Sequence, residues 1–282
     1  MTKHAPETVS VHDPYAGNSL IAQLGPIRSR PETLKALVEF PPRPPKDIAS
    51  IPRHVRLHML MSVRDLHVPS VEELQLYETM DMMIRQNYHH LQPSSSSTWS
   101  MISGEEARYR PPVTAPTYGA AVVGVSGSGK TQAIRRCLST FPQTIQHTSF
   151  FRMVNGLQQV VWLSLDVPAG GKATDLAAAL MTAWKKATGS TRFDKTLAGE
   201  WRNGPQMLDE WRQVASSHFL GLLHLDEIQN LFKLPPLKSR SKRKPGEPQP
   251  ELRIIDDQSL KWILTALNEW QIPLLVSVTC PH

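Results

Sequence analysis

Gly124-Val125-Ser126-Gly127-Ser128-Gly129-Lys130-Thr131 is the stretch that decides the fold. It matches G-x-x-x-x-G-K-[ST] in full, and its flanks give it context. Residues 118–124 form a short apolar run that reads as a buried strand. Residues 130–140 read as a helix with Ala133, Ile134, Cys137 and Leu138 on one face. A strand, a glycine-rich turn and a helix in that order make a cradle for phosphates. Backbone N–H groups must turn inward around a polyanion, and glycines allow that approach and the positive φ it needs. The helix start adds partial positive charge. In this reading Gly124, Val125, Ser126, Gly127, Ser128, Gly129 and Gln132 surround the nucleotide. Lys130 reaches the β- and γ-phosphates, and Thr131 offers its hydroxyl to Mg²⁺.

Working outward, the chain continues to alternate. Residues 159–167 are an apolar run of the kind that parallel strands show when covered on both faces. Residues 174–187 carry Leu176, Ala177, Leu180, Ala183, Trp184 and Ala187 at helical spacing, with Gly189 placed to end the helix. Residues 205–218 repeat the pattern with Met207, Leu208, Trp211, Val214 and Ala215. Strands are expected over 220–225 and 273–279, with a helix over 257–270 between them. Such alternation predicts an α/β protein with a parallel sheet sandwiched by helices. Trp162, Trp184 and Trp211 read as core.

The run 222–227 ends in two acids, Asp226 and Glu227. Parallel sheets carry their ligands at the carboxyl ends of strands. Asp226 is therefore expected near the metal, and Glu227 is expected to orient or deprotonate an attacking water. Thr279, at the end of the last strand, is a candidate contact to the γ-phosphate or that water. His224, inside its strand, reads as a packed core histidine.

Before the phosphate loop the organisation differs. Residues 1–30 show little periodicity and read as a poorly ordered tail. Helices are expected over 31–40, 53–64 and 71–88, making a small helical module over 31–92. In the second of these, Val55, Leu57, Met59, Leu60 and Val63 are expected to supply apolar contacts. Residues 93–112 begin with a serine run and read as a linker, leaving 113–282 as the ATPase core.

The chain has 282 residues, a formal charge of +6 and two cysteines, with 40% hydrophobic and 20% charged residues. No run is long and apolar enough for a membrane helix, and there is no signal-peptide pattern. Two cysteines make neither a metal spacing nor a disulfide framework. A reducing bacterial cytosol is the expected setting. The modest basic surplus permits nucleic-acid contact without demanding it. Residues 238–244 hold five cations in seven positions, a candidate for sequence-independent contact with DNA phosphates.

The stretch 119–279 resembles the AAA+ ATPases and, more narrowly, the TniB/TnsC family of DNA-transposition regulators. The resemblance rests on the phosphate loop, on residues 159–166 and 272–275, and on Asp226-Glu227-Ile228-Gln229-Asn230. The proline run 41–45, residues 52–57 and residues 83–88 are similar to that family's leader region. The resemblance implies an ATPase using ATP and Mg²⁺ that assembles as a homo-oligomer on double-stranded DNA. It also implies recruitment of a transposase and target-selection proteins. A residue before the first strand often touches adenine in such proteins; Tyr109, Arg110 and Tyr118 are the candidates. Relatives normally continue past the last strand into a further strand, an arginine finger and a helical lid. With the chain stopping at His282, the lid is expected to be absent and the isolated chain to hydrolyse slowly. Two alternatives remain: a non-hydrolysing nucleotide-binding scaffold, and another P-loop ATPase of signalling, defence or initiator type.

Overall fold

Four strands of the described chain form one parallel sheet with spatial order β1-β6-β5-β4. The structure is a computed structural model that describes residues 13–103, 118–199, 203–231, 261–263, 265 and 272–280. The sheet strands are β1 (Gly119–Val125), β4 (Trp162–Asp166), β5 (Leu222–Asp226) and β6 (Leu274–Cys280). A separate antiparallel pair joins β2 (Thr144–His147) to β3 (Leu157–Val160). The expected single strand over 159–167 is therefore two strands. The chain changes sheets at Val161, because an apolar run does not reveal which neighbour each half pairs with. No residue of β1 is buried and Val123 is 61% exposed. The expectation of a buried first strand is thus corrected: β1 lies at the edge of the described sheet.

Helices cover both faces. Successive side chains of a strand point to opposite sides. Leu223, Leu225 and Leu274 join one apolar cluster with α6 (Ala173–Thr188) and α8 (Gly204–Ser217). Leu222 and Leu275 join the other, with α3 (Val71–His90) and α5 (Lys130–Ser139). Trp184 and Trp211 are fully buried in the first cluster. Trp162 is only half-buried, its indole N–H donating to Phe141 O at 3.2 Å. Gly189 ends α6 in the left-handed conformation, as its position suggested. Of the expected helix over 257–270, the described residues 261–263 and 265 are helical.

The N-terminal part is not the separate module expected. Residues 1–30 read as a poorly ordered tail, yet in the described part, from residue 13 on, Leu20, Ile21 and Leu24 are buried. They sit in the same cluster as Phe219, Leu222 and Leu275. Asn18 donates to Tyr88 O at 2.6 Å, and Gln159 donates to Leu20 O at 3.1 Å. These three apolar residues bury enough surface to order a segment without a repeating pattern. Helix α1 (Arg30–Leu37) opens with a capping box between Ser29 and Glu32. Helix α3 begins at Ser70, whose hydroxyl accepts from Glu73 N. Near the other end of α3, Tyr88 Oη lies 3.0 Å from Phe219 O and 3.3 Å from Val160 O. The linker expected over 93–112 starts as a helix, α4 (Ser96–Ser103), anchored by Trp99 against Phe219. Residues 104–112 lie outside the described residues.

Residues 40–66 depart from this pattern. An antiparallel bridge between Glu39 and His67 closes their base. Between these two residues nothing is buried. Helix α2 (Arg53–Leu60) projects with Val55, Leu57 and Leu60 exposed, and Val63 just beyond it is exposed too. Among the described residues, the apolar contacts expected of them leave these four side chains exposed. Asp81 and Arg85, by contrast, form a buried pair, and Arg85 also donates to Gly25 O at 3.0 Å.

Two outcomes follow. Among the described residues, mild trypsin should cut first at Arg53, Arg56 or Arg64, where no buried contact protects the backbone; mass spectrometry of the first fragments checks this. Tyr88→Phe should cost about 1–2 kcal/mol in urea unfolding, because Phe219 O loses a buried donor.

Candidate nucleotide-binding site

The phosphate loop joins the end of β1 to the start of α5. Gly127 and Gly129 adopt φ of 78° and 87°, a region that favours glycine. At Gly124 the limit is space. A Cβ there would stand 3.2 Å from Ser128 Oγ and 3.3 Å from Lys130 Cδ. Val125, Ser126, Gly127, Ser128 and Gly129 are exposed, and Ser128 N donates to Val125 O at 3.3 Å to close the turn. Lys130 Nζ donates to Gly124 O and Val125 O, both at 2.8 Å. Its ammonium therefore lies folded over the loop. Gln132 is exposed on the first turn of α5.

Asp226 ends β5 beside this helix. Thr131 Oγ1 donates to Asp226 Oδ2 at 2.6 Å. Asp226 Oδ1 accepts from Glu227 N at 2.9 Å and from the Ser277 hydroxyl. Burial alone would push this carboxyl up. The hydrogen bonds from Ser277 and Thr131 outweigh it and hold the group below its ordinary value. The ionised form is thus favoured in a residue only 4% exposed.

Glu227 follows with φ 55°, uncommon for a residue other than glycine. Its carboxylate accepts from Gln229 Nε2 and, at 3.2 Å, from Thr279 Oγ1. Thr279 N donates to Gln229 Oε1 at 3.3 Å, which closes a small ring of contacts. The structure thus brings Lys130, Thr131, Asp226, Glu227 and Thr279 to one end of the sheet, as their positions suggested. Sequence reasoning assigned no site role to Gln229 or Ser277. Gln229 stood in the quoted 226–230 run, and Ser277 lies two residues before Thr279, on the same strand face.

The donors suit magnesium. A threonine hydroxyl and a carboxylate converge from different elements, both hard oxygens. Magnesium is commonly held by one or two such groups plus water and phosphate oxygens. Among the described residues no group of three or more His, Cys, Asp or Glu forms a metal cage. Tyr118 is half-buried next to β1. Tyr109, Arg110 and the basic run 238–244 lie outside the described residues.

His224 lies behind Asp226 on β5 and is fully buried. Burial pushes its pKa down to about 4. The unfolded chain would take up a proton near pH 6.5, so the stabilisation is complete above that value and lost as pH falls toward 4. Urea titrations at the two pH values should differ by about 3 kcal/mol more in the parent protein than in His224→Gln.

A protein-family model described as an AAA domain matches residues 117–278, more than half of the chain. No curated protein matches it. Among the described residues, no helix is long and apolar enough to cross a membrane. With a parallel sheet flanked by helices and a phosphate loop at its carboxyl end, the chain belongs to the AAA domain family and carries an AAA-type P-loop ATPase domain.

Proposed function

We propose that this chain is an ATP-hydrolysing regulator of DNA transposition. It assembles on double-stranded DNA in the ATP-bound state and recruits or activates a transposase, in the bacterial cytosol. The observation that carries the nucleotide part is the convergence of Thr131 and Asp226 at 2.6 Å beside Lys130 and Glu227. Lys130 exchanges its two carbonyl partners for the β- and γ-phosphate oxygens. Thr131 and Asp226 would hold magnesium, which would supply charge neutralisation at the phosphates. Glu227 orients the attacking water and accepts its proton. The water oxygen bonds to the γ-phosphorus as the bond to the bridging oxygen breaks, and ADP leaves with the electron pair. Thr279 keeps the Glu227 carboxylate aimed.

The transposition part rests on the similarity of the leader and of residues 226–230 to the TniB/TnsC regulators. The arm 40–66 supports a protein that works through partners. It exposes eight large apolar side chains, Phe40, Ile48, Val55, Leu57, Leu60, Met61, Val63 and Leu66. It also carries five cations against two acids. A cluster of exposed large apolar side chains within one 27-residue segment is the kind of feature that interaction sites show.

A second reading, a nucleotide-binding scaffold that does not turn over, is favoured by one contact set. Gln229 occupies the Glu227 carboxylate at Oε2 and must release it before that oxygen can handle water.

Phosphate release by the purified chain separates the two. Glu227→Gln should bind ATP as before and lose at least about 100-fold in turnover. No turnover in the parent, with binding intact, selects the scaffold. ATP-dependent DNA binding should weaken steeply as salt rises. Absence of that binding, with ATPase activity present, would remove the transposition assignment and leave the nucleotide chemistry standing.

A further inference from the structure

Three adjacent strands each place one polar side chain behind the metal-side carboxylate. Ser164 lies on β4, His224 on β5 and Ser277 on β6. Ser164 and His224 are register partners. His224 and Ser277 are both fully buried. Ser164 Oγ is 2.8 Å from His224 Nδ1, and His224 Nε2 is 3.2 Å from Ser277 Oγ. Ser277 Oγ in turn contacts Asp226 Oδ1.

Proton counting gives this chain one direction. An ionised carboxylate only accepts, so the single Ser277 proton goes to Asp226 Oδ1. Ser277 must then accept from His224 Nε2–H. A neutral imidazole with its proton on Nε2 leaves Nδ1 as an acceptor, and the Ser164 hydroxyl supplies that proton. Every donor in the row has one acceptor. With Oδ1 taken by Ser277 and by Glu227 N, Oδ2 is left to face Thr131.

We propose that Ser164, His224 and Ser277 form a buried positioning relay that fixes the direction of the Asp226 carboxylate and so tunes magnesium binding. This rests on the nucleotide reading of the site. In that reading Asp226 is the ligand, and the three residues act only through it. Hydrogen-bonded partners behind a ligating carboxylate commonly change metal affinity by about 10–100-fold when removed. An apolar residue at 224 would remove the donor to Ser277 and leave its hydroxyl free to turn.

The test titrates magnesium into the full chain with a fluorescent ADP analogue at fixed pH, with an EDTA control and an unfolding midpoint for each variant. Ser277→Ala and His224→Leu should raise the half-saturating magnesium concentration about 10-fold or more. Their nucleotide affinity in EDTA should stay within about twofold of the parent, because the loop itself is untouched. His224→Gln, whose amide can donate toward Ser277, should recover most of the loss. A merely structural role would lower the unfolding midpoint without moving the magnesium requirement. Should Ser277→Ala fail to fold, the Leu and Gln variants at 224 carry the same comparison. If those do not fold either, Ser164→Ala at the half-buried end decides, with an expected rise of about threefold. Magnesium requirements equal to the parent's in the folded variants overturn the relay alone. A parent chain whose nucleotide affinity is the same in magnesium and in EDTA overturns the reading of the site beneath it.

Discussion

A buried carboxylate has to be held by donors on every side, and Asp226 sets that demand for the whole molecule. Its partners come from three places: Thr131 at the start of α5, Ser277 on β6, and the next backbone N–H of its own chain. Satisfying them fixes the start of the helix after the phosphate loop against the end of β5. It also fixes β6 against β5 at the end that carries the phosphate loop. Leaving such a group unpaired inside a protein costs several kcal/mol. The sheet order β1-β6-β5-β4 makes the arrangement possible, because it puts β6 between the strand that feeds the loop and the strand that carries the acids.

Much of this was legible beforehand because it depends on local rules. The phosphate loop, the Gly189 stop after α6 and the acids ending β5 follow from spacing and from the φ that glycine allows. What stayed hidden depends on register and on distant partners. Ser277 and Gln229 look like ordinary polar residues until strand pairing sets one beside Asp226 and a 3-10 turn sets the other beside Glu227. His224 was read as core and is core, but its two serine partners lie 60 and 53 positions away.

The misreadings have physical causes too. Leu20, Ile21 and Leu24 were passed over because three apolar residues in a polar stretch carry no period. Their burial comes from the long helix α3 and from β3, neither of which is near in sequence. The serines at 94–97 suggested a spacer. Trp99 and its bond to Pro93 O at 2.7 Å turn the segment into an anchored helix instead. In the arm, apolar residues at helical intervals promised a packed face, and periodicity alone does not say whether anything lies opposite it.

Glu39 and His67 pinch the arm at its root, and Arg136 of α5 reaches that root, 2.6 Å from Glu39. The helix that leaves the phosphate loop is thereby in direct touch with the base of a projecting, apolar, cationic limb. Leverage is the consequence. A load on the limb at Arg136 and a change at Lys130 would bear on one rigid rod at points six residues, about 9 Å, apart.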